Sequence, residues 1–282
     1  MEQEFGTVRL RSGHHMPSAG FGTWNPEAGP MYEAVRHALD IGYRLFDTAP
    51  SYGTEELLGR ALRDSRVPRE DVFLTTKLPR GSEHGVRDSL ESSLRRLGVD
   101  YVDLWLIHWP TSDGTHIETW RKLIDAKNSG RVLVAGVSNF SPQQIDELSS
   151  ITGHVPEVNQ VKWSPALHDP VVLEHSRASA VALQGYSPLR ASNVGHSLLD
   201  RIATRSGATV PQVVLRWNLE HGITALPRST TFAHIEENFH ASDLKLTRRE
   251  IAAIDRIAHA ARQIRGRGGD RPIDPPNRLA GM

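Results

Sequence analysis

Short apolar runs alternate with amphipathic stretches along most of the chain. The runs read as strands at Arg44–Asp47, Val72–Lys77, Tyr101–His108, Arg131–Asn139, Val158–Lys162, Val181–Tyr186 and Thr224–Pro227, with a shorter one at Ala19–Gly22. Each is too short for a helix and is bounded by polar or turn residues. Between them apolar residues recur at helical spacing. Val86, Leu90, Leu94 and Leu97 share one face, and Gly98 follows as a stop. Ser141-Pro142-Gln143-Gln144 is a helix start, with a hydroxyl cap, a proline in the first turn and a glutamine three residues on. Thr209-Val210-Pro211-Gln212 follows the same logic. So does Thr247-Arg248-Arg249-Glu250, which leads into Ile251, Ile254 and Ile257. Ahead of this alternation, Arg9-Leu10-Arg11, Ser12-Gly13 and His14-His15-Met16 predict a hairpin with a glycine turn. Residues 262–282, rich in Arg, Gly and Pro, predict an irregular tail.

Strands that alternate with helices predict an α/β fold with a parallel sheet built from βαβ units. Eight strand–helix units predict a closed (β/α)8 TIM barrel, with the N-terminal hairpin closing its bottom. An open dinucleotide-binding sheet would carry GxGxxG after its first strand. The nearest string, Gly20-Phe21-Gly22-Thr23-Trp24-Asn25, fails at its last position. No P-loop, HExxH or GxSxG occurs. No linker, repeat or low-complexity block interrupts the pattern before residue 262, so residues 1–282 are expected to form one domain.

Composition narrows the function. Lys+Arg and Asp+Glu are both 33, so no net field draws the chain to nucleic acid or an anionic membrane, and neither is an expected partner. There is no cysteine, which excludes a disulfide scaffold, a thiolate metal site and a cysteine nucleophile. The longest apolar run, Val132–Val137, is far too short to span a membrane. The first twenty residues lack the apolar core of a secretory signal. A soluble, cytoplasmic, monomeric protein is expected.

Polar residues close the strands. Asp47, Lys77, His108 and Ser138 follow one another at intervals of 30, 31 and 30 residues, about the length of a βα unit. Gln160 lies in the next strand and Tyr186 ends the one after. Alone, each has a structural explanation: an Asp cap, a solvated exit Lys, a half-buried His. A constant period is harder to explain that way. In a β/α barrel the strand C-termini converge on the face where active sites form, so Asp47, Lys77 and His108 should meet. Tyr52 lies five residues past Asp47, on the loop over the mouth. Together they make a proton donor. The Lys77 ammonium should lower the phenol's pKa, Asp47 should hold that ammonium, and His108 should hydrogen-bond the reacting oxygen.

These residues sit in motifs that resemble the aldo-keto reductase family. Asp47-Thr48-Ala49-Pro50-Ser51-Tyr52-Gly53-Thr54-Glu55, with Gly59 beyond, is similar to its first signature. Leu106-Ile107-His108-Trp109-Pro110, Gly136-Val137-Ser138-Asn139-Phe140 and Leu226-Pro227-Arg228-Ser229-Thr230 are similar to three more. The resemblance runs in order from residue 20 to about 240 and is nearest to bacterial 2,5-diketo-D-gluconate reductase-like members. It implies NADPH-dependent reduction of aldehydes or ketones, with Asp47, Tyr52, Lys77 and His108 as catalytic tetrad and Tyr52 as proton donor. It further implies that Ser138, Asn139 and Gln160 bind the nicotinamide amide, that Tyr186 stacks on the ring, and that Ser187 and Leu189 follow the pyrophosphate. Gly22 and Thr23 join the cofactor set. Arg228, Ser229 and Thr230 fall at the 2′-phosphate, and Glu237 and Asn238 at the adenine. His234 replaces an arginine common in the family, which implies that NADH is also used. Trp24 and Trp109, with Tyr52 and His108, are the expected substrate contacts, under a rim left open by a short tail.

Two other readings remain at this point. One is a barrel that binds NADP without catalysis. The other is a metal-dependent hydrolase, suggested by 14 histidines, although most lie outside the strand ends. For the reductase no metal ligand is expected.

Overall fold

The structure is a computed structural model that describes residues 6–25, 30–82, 85–111, 113–189 and 197–266. Strands β1 (Thr7–Arg9) and β2 (His15–Pro17) form the antiparallel hairpin, with Arg9 opposite His15. It is two residues longer toward the N-terminus than the sequence suggests, and Leu10 lies in the turn rather than in the strand. Leu10 N–H bonds the His14 carbonyl at 2.8 Å, and Gly13 takes φ +90°. Burial of Leu10 and Met16 against Leu45, Phe73, Val134 and Val158 decides this register. These contacts reach the start of the barrel strands, so the hairpin closes the floor as expected.

Eight parallel strands follow in sequence order: β3 (Phe21–Gly22), β4 (Leu45–Asp47), β5 (Phe73–Leu78), β6 (Val102–Ile107), β7 (Val132–Ser138), β8 (Val158–Lys162), β9 (Ala182–Tyr186) and β10 (Thr224–Leu226). The first and last strands meet through an Ala19–Ala225 bridge. Gly20 N–H bonds the Ala225 carbonyl and Gly22 N–H the Pro227 carbonyl, both at 2.9 Å. A Cβ on Gly20 would lie 2.1 Å from Leu45 Cδ2, so a bare backbone is needed where the seam closes.

The helices are α1 (Met31–Ile41), α2 (Glu55–Asp64), α3 (Val86–Leu97), α4 (His116–Asn128), α5 (Pro142–Thr152), α6 (Pro170–Ser179), α7 (Ser197–Ser206), α8 (Val210–Glu220), α9 (Phe232–Phe239) and α10 (Arg248–Gly266). The capping boxes at Ser141 and Thr209 form with both hydrogen bonds, and Thr247 and Glu250 cap α10 reciprocally. Gly98 ends α3 at φ +69°. One expectation fails in part. Residues 262–266 continue α10 instead of starting an irregular tail, because Ala, Arg and Gln propagate a helix already anchored by Ile251, Ile254 and Ile257. Residues 267–282 lie outside the described residues.

Strand alternation sorts the side chains. Phe46, Leu74, Trp105 and Ala135 face the helices and pack against Leu39, Leu58, Leu94 and Trp120. The opposite parity points inward and ends at Asp47, Lys77, His108, Ser138, Gln160 and Tyr186. The sequence therefore delivers these side chains to one end of the barrel interior.

Candidate active site

Lys77 is fully buried, and its ammonium donates to Asp47 Oδ1 at 2.6 Å and to the Thr48 carbonyl at 2.9 Å. Asp47 Oδ1 also accepts from Gln160 Nε2 at 2.7 Å. Tyr52 ends a single 3-10 turn (Pro50–Tyr52), and Gly53 at φ +68° lets the chain bend into α2. The Lys77 ammonium lies 4.9 Å from the centre of the Tyr52 ring, and His108 meets that ring edge-on at 5.9 Å. The four residues expected to meet are brought together.

The electrostatics differ from expectation at Tyr52. Burial first, and the Asp47 carboxylate second, push its phenol well above the ordinary value. The expected lowering by Lys77 does not prevail, because the ammonium is already paired with Asp47 and the phenolate would be desolvated. Burial also lowers Lys77, while Asp47 and then Glu55 pull it back up. Burial, followed by the charges of Lys77 and Arg80, takes His108 down to about 3. The site thus holds a neutral imidazole and a neutral phenol beside a charged lysine.

Three supporting features were not foreseen. Glu55, buried at the start of α2, accepts from Thr76 Oγ1 at 2.7 Å and from Arg96 Nε at 2.6 Å. It ties the loop of Tyr52 to the strand of Lys77. Its signal was available, since Glu55, Leu58 and Gly59 share one helical face. Thr54 shares hydrogen bonds with Thr23 at 2.9 Å and Thr48 at 3.1 Å. Arg80 lies 4.7 Å over the Trp109 ring, and no residue pattern marks it.

The expected nicotinamide contacts form a polar rim next to this group. Ser138 Oγ donates to the Gln160 carbonyl at 2.9 Å. Asn139 Nδ2 donates to Ser138 Oγ at 2.9 Å and to the His108 carbonyl at 3.2 Å. Asn139, at φ +66°, accepts from the Tyr186 hydroxyl at 2.9 Å. Ser187 also takes a left-handed φ of +52°. Leu189 packs beside Leu215 and Ala225 at the end of this described segment.

The remaining cofactor candidates lie at the seam. Gly22 stands opposite Asp47 in the β3–β4 register and bonds Pro227, so the seam adjoins the tetrad. Thr23 is fully buried and its hydroxyl also bonds the Asp47 carbonyl at 3.0 Å. Its side chain braces the strand ends. Arg228 donates to the Trp24 carbonyl at 3.0 Å and to Asn25 Oδ1 at 3.3 Å, with its guanidinium 5.2 Å over the Trp24 ring. Ser229 Oγ accepts from Thr231 N–H at 3.0 Å, next to Thr230 and just ahead of α9. His234 is exposed on the first turn of α9. Glu237 accepts from the Thr209 hydroxyl, and Asn238 is buried beneath. Trp109 stacks beside His108 at 6.2 Å. Trp24 instead faces Arg228 at the seam.

A rim of side-chain amides and hydroxyls, a tyrosine beside it and a loop arginine ahead of a helix make a donor set that fits a nicotinamide dinucleotide phosphate. The sequence model of the aldo/keto reductase family matches residues 6–196 and 195–259. The chain belongs to the aldo/keto reductase family. Aldo/keto reductases similar to it include methylglyoxal reductase DkgA of Yersinia pestis, 36% identical over 254 residues, which cover 89% of this chain and 92% of the relative. An aldo-keto reductase of Mycobacterium sp. (strain JLS) is 37% identical over 260 residues, covering 90% and 94%. Among solved structures, an aldo/keto reductase from Brucella melitensis aligns with TM-score 0.86 at 37% identity, covering 90% of this chain and 99% of that one. A Bombyx mori aldo-keto reductase in complex with NADP aligns at TM-score 0.83 and 30% identity, covering 90% and 93%. The protein is therefore an oxidoreductase, an aldo/keto reductase that reduces carbonyl compounds with NADPH.

Proposed function

We propose that the protein reduces small aldehydes, ketones and α-dicarbonyls to alcohols at the Asp47–Tyr52–Lys77–His108 cluster. The convergence of Tyr52 and His108 around a Lys77 ammonium held by Asp47 carries this reading. The cofactor, when bound, supplies a hydride to the carbonyl carbon. His108, neutral, donates an N–H to the carbonyl oxygen and polarises it. Tyr52 gives its proton to that oxygen, and the phenolate left behind is stabilised by Lys77. Asp47, helped by Glu55, keeps Lys77 charged. Ser138, Asn139 and Gln160 would hold the nicotinamide amide and Tyr186 its ring face. Ser187 and Leu189 would follow the pyrophosphate. Gly22 would give the cofactor a close backbone approach at the seam, next to Thr23. Arg228, Ser229 and Thr230 would take the 2′-phosphate, near His234, with Glu237 and Asn238 toward the adenine. Trp109, with Trp24 on the seam side, would flank the substrate entrance.

Relatives named methylglyoxal reductase support an α-oxoaldehyde among the substrates. Tyr52 and His108 polarise and protonate the oxygen, so no Lewis acid is needed at the carbonyl. The protein works as a single-domain monomer in the cytoplasm. No helix among the described residues is long and apolar enough to cross a membrane.

Tyr52→Phe is expected to lower carbonyl reduction by about 10²- to 10⁴-fold, the usual worth of a positioned acid, with NADPH affinity nearly unchanged. A panel of aldehydes, ketones and α-dicarbonyls, followed by NADPH consumption, tests both the activity and this loss. Reduction within threefold of wild type in the variant would remove Tyr52 from its role. Binding of NADPH without turnover of any carbonyl would favour the non-catalytic barrel.

A further inference from the structure

Away from the tetrad, three side chains with ligand atoms converge from three separate elements. His168 follows the short turn Pro165–Leu167 after β8, His221 caps the end of α8, and Asp255 lies within α10. One nitrogen or oxygen of each lies within 4.8 Å of the other two, the one such group among the described residues. Asp255 Oδ1 accepts from His221 Nε2 and from Trp217 Nε1, each at 2.8 Å. His168 Nδ1 lies 3.2 Å from the Asp255 carbonyl. A carbonyl only accepts, so Nδ1 carries the hydrogen and the lone pair is on Nε2. Trp163 and Trp217 meet His168 edge-on at 5.7 and 5.6 Å, and the two imidazoles stack at 5.6 Å.

We propose that His168, His221 and Asp255 bind one zinc-like divalent ion, which clamps α10 to the end of α8 and to the turn after β8. Two imidazoles, one carboxylate and a water are a ligand set that zinc accepts, whereas magnesium and calcium prefer oxygen alone. Bonds of about 2.0–2.2 Å in a tetrahedron place ligand atoms about 3.4 Å apart. The His221–Asp255 pair, at 2.8 Å, is closer than this, and every other pair lies within 4.8 Å, so modest side-chain rotation is what the ion requires. The outer contacts suit the role. A backbone carbonyl fixes the His168 tautomer, and the Trp217 N–H orients the carboxylate, as partners of metal ligands commonly do. On binding, the ion takes the place of the hydrogen that His221 Nε2 shares with Asp255 Oδ1, and that proton passes to His221 Nδ1 or to solvent. The apolar indoles around the site limit competing water. This site is independent of the reduction chemistry and does not rest on the functional reading above.

The test uses the full-length chain, freed of metal by chelation and desalted. Zinc is then added and followed by calorimetry and thermal unfolding. One zinc per chain is expected, with a dissociation constant of about 1 µM or tighter, and a rise in Tm at saturating zinc. The double variant His168→Gln/His221→Gln should lose this stoichiometric uptake and the rise in Tm, while NADPH-dependent turnover stays within twofold of wild type. If the double variant does not fold, Asp255→Asn serves instead, since its amide oxygen still accepts from Trp217. It is expected to bind zinc at least about tenfold more weakly. Cobalt bound to the wild-type chain should show the visible bands of a four- or five-coordinate ion, and zinc should displace it. No uptake by wild type, uptake unchanged in the variants, or a six-coordinate cobalt spectrum would each overturn the site.

Discussion

Burial and the charges of Lys77 and Arg80 hold His108 down at about 3, and this has a measurable price in acid. The folded-state value lies below the unfolded value, so below about pH 6.5 the unfolded chain takes up a proton that the folded chain refuses. Stability is unaffected above that value and falls as pH drops toward the folded one. Between pH 7 and pH 5 the loss from this residue alone is about 2 kcal/mol. His108→Gln should lose correspondingly less than wild type over that interval, measured by urea unfolding at both pH values. Equal losses would mean that His108 is not held neutral. Glu55 acts one step further from the reacting oxygen. Glu55→Gln keeps an acceptor for Thr76 but removes a charge that raises Lys77. The expected result is a fall in kcat of about tenfold, with the alkaline limb of the kcat profile moved to lower pH and KM for NADPH little changed. A fall in stability with an unmoved profile would make Glu55 purely structural.

At the scale of elements, turns and caps set what local sequence can show. Ser141 and Gln144 exchange both bonds of a capping box, so Ser141→Ala should cost about 1 kcal/mol and lower Tm by a few degrees in a melt. Gly59 lies where α2 crosses α3, and a Cβ there would sit 2.1 Å from the Leu97 carbonyl oxygen. Backbone cannot move aside as a side chain can, so Gly59→Ala is expected to cost about 2–3 kcal/mol, although alanine is the better helix former. A neutral or stabilising result would show that the two helices can separate. The tetrad was legible because strand ends recur at a fixed period and the motif around Asp47 is local. The hairpin register was not, because burial of Leu10 by distant strands decides it. Nor was the raised phenol of Tyr52, since sequence shows that Lys77 is near but not that Asp47 already holds its charge. Arg80 carries no periodic mark and is placed only by the fold.

The molecule as a whole is neutral, with 33 basic and 33 acidic residues, so no long-range field selects a phosphorylated cofactor. Selection must come from groups next to the 2′-phosphate. On the proposed placement of the cofactor these are Arg228 and the hydroxyls of Ser229 and Thr230, with His234 exposed on the first turn of α9. Arg228 is bound to Trp24 and Asn25, so it must exchange those contacts to grip a phosphate. The second position holds an imidazole, whereas an arginine there would be a fixed cation that could fork onto the phosphate. NADPH should therefore be preferred over NADH, with measurable NADH turnover. His234→Arg should strengthen the preference about tenfold, since one charge-assisted contact is worth about that factor. The measurement is kcat/KM for both cofactors in wild type and variant. An undetectable NADH rate in wild type, or an unchanged preference in His234→Arg, would remove this position from phosphate recognition and leave Arg228 as its cation.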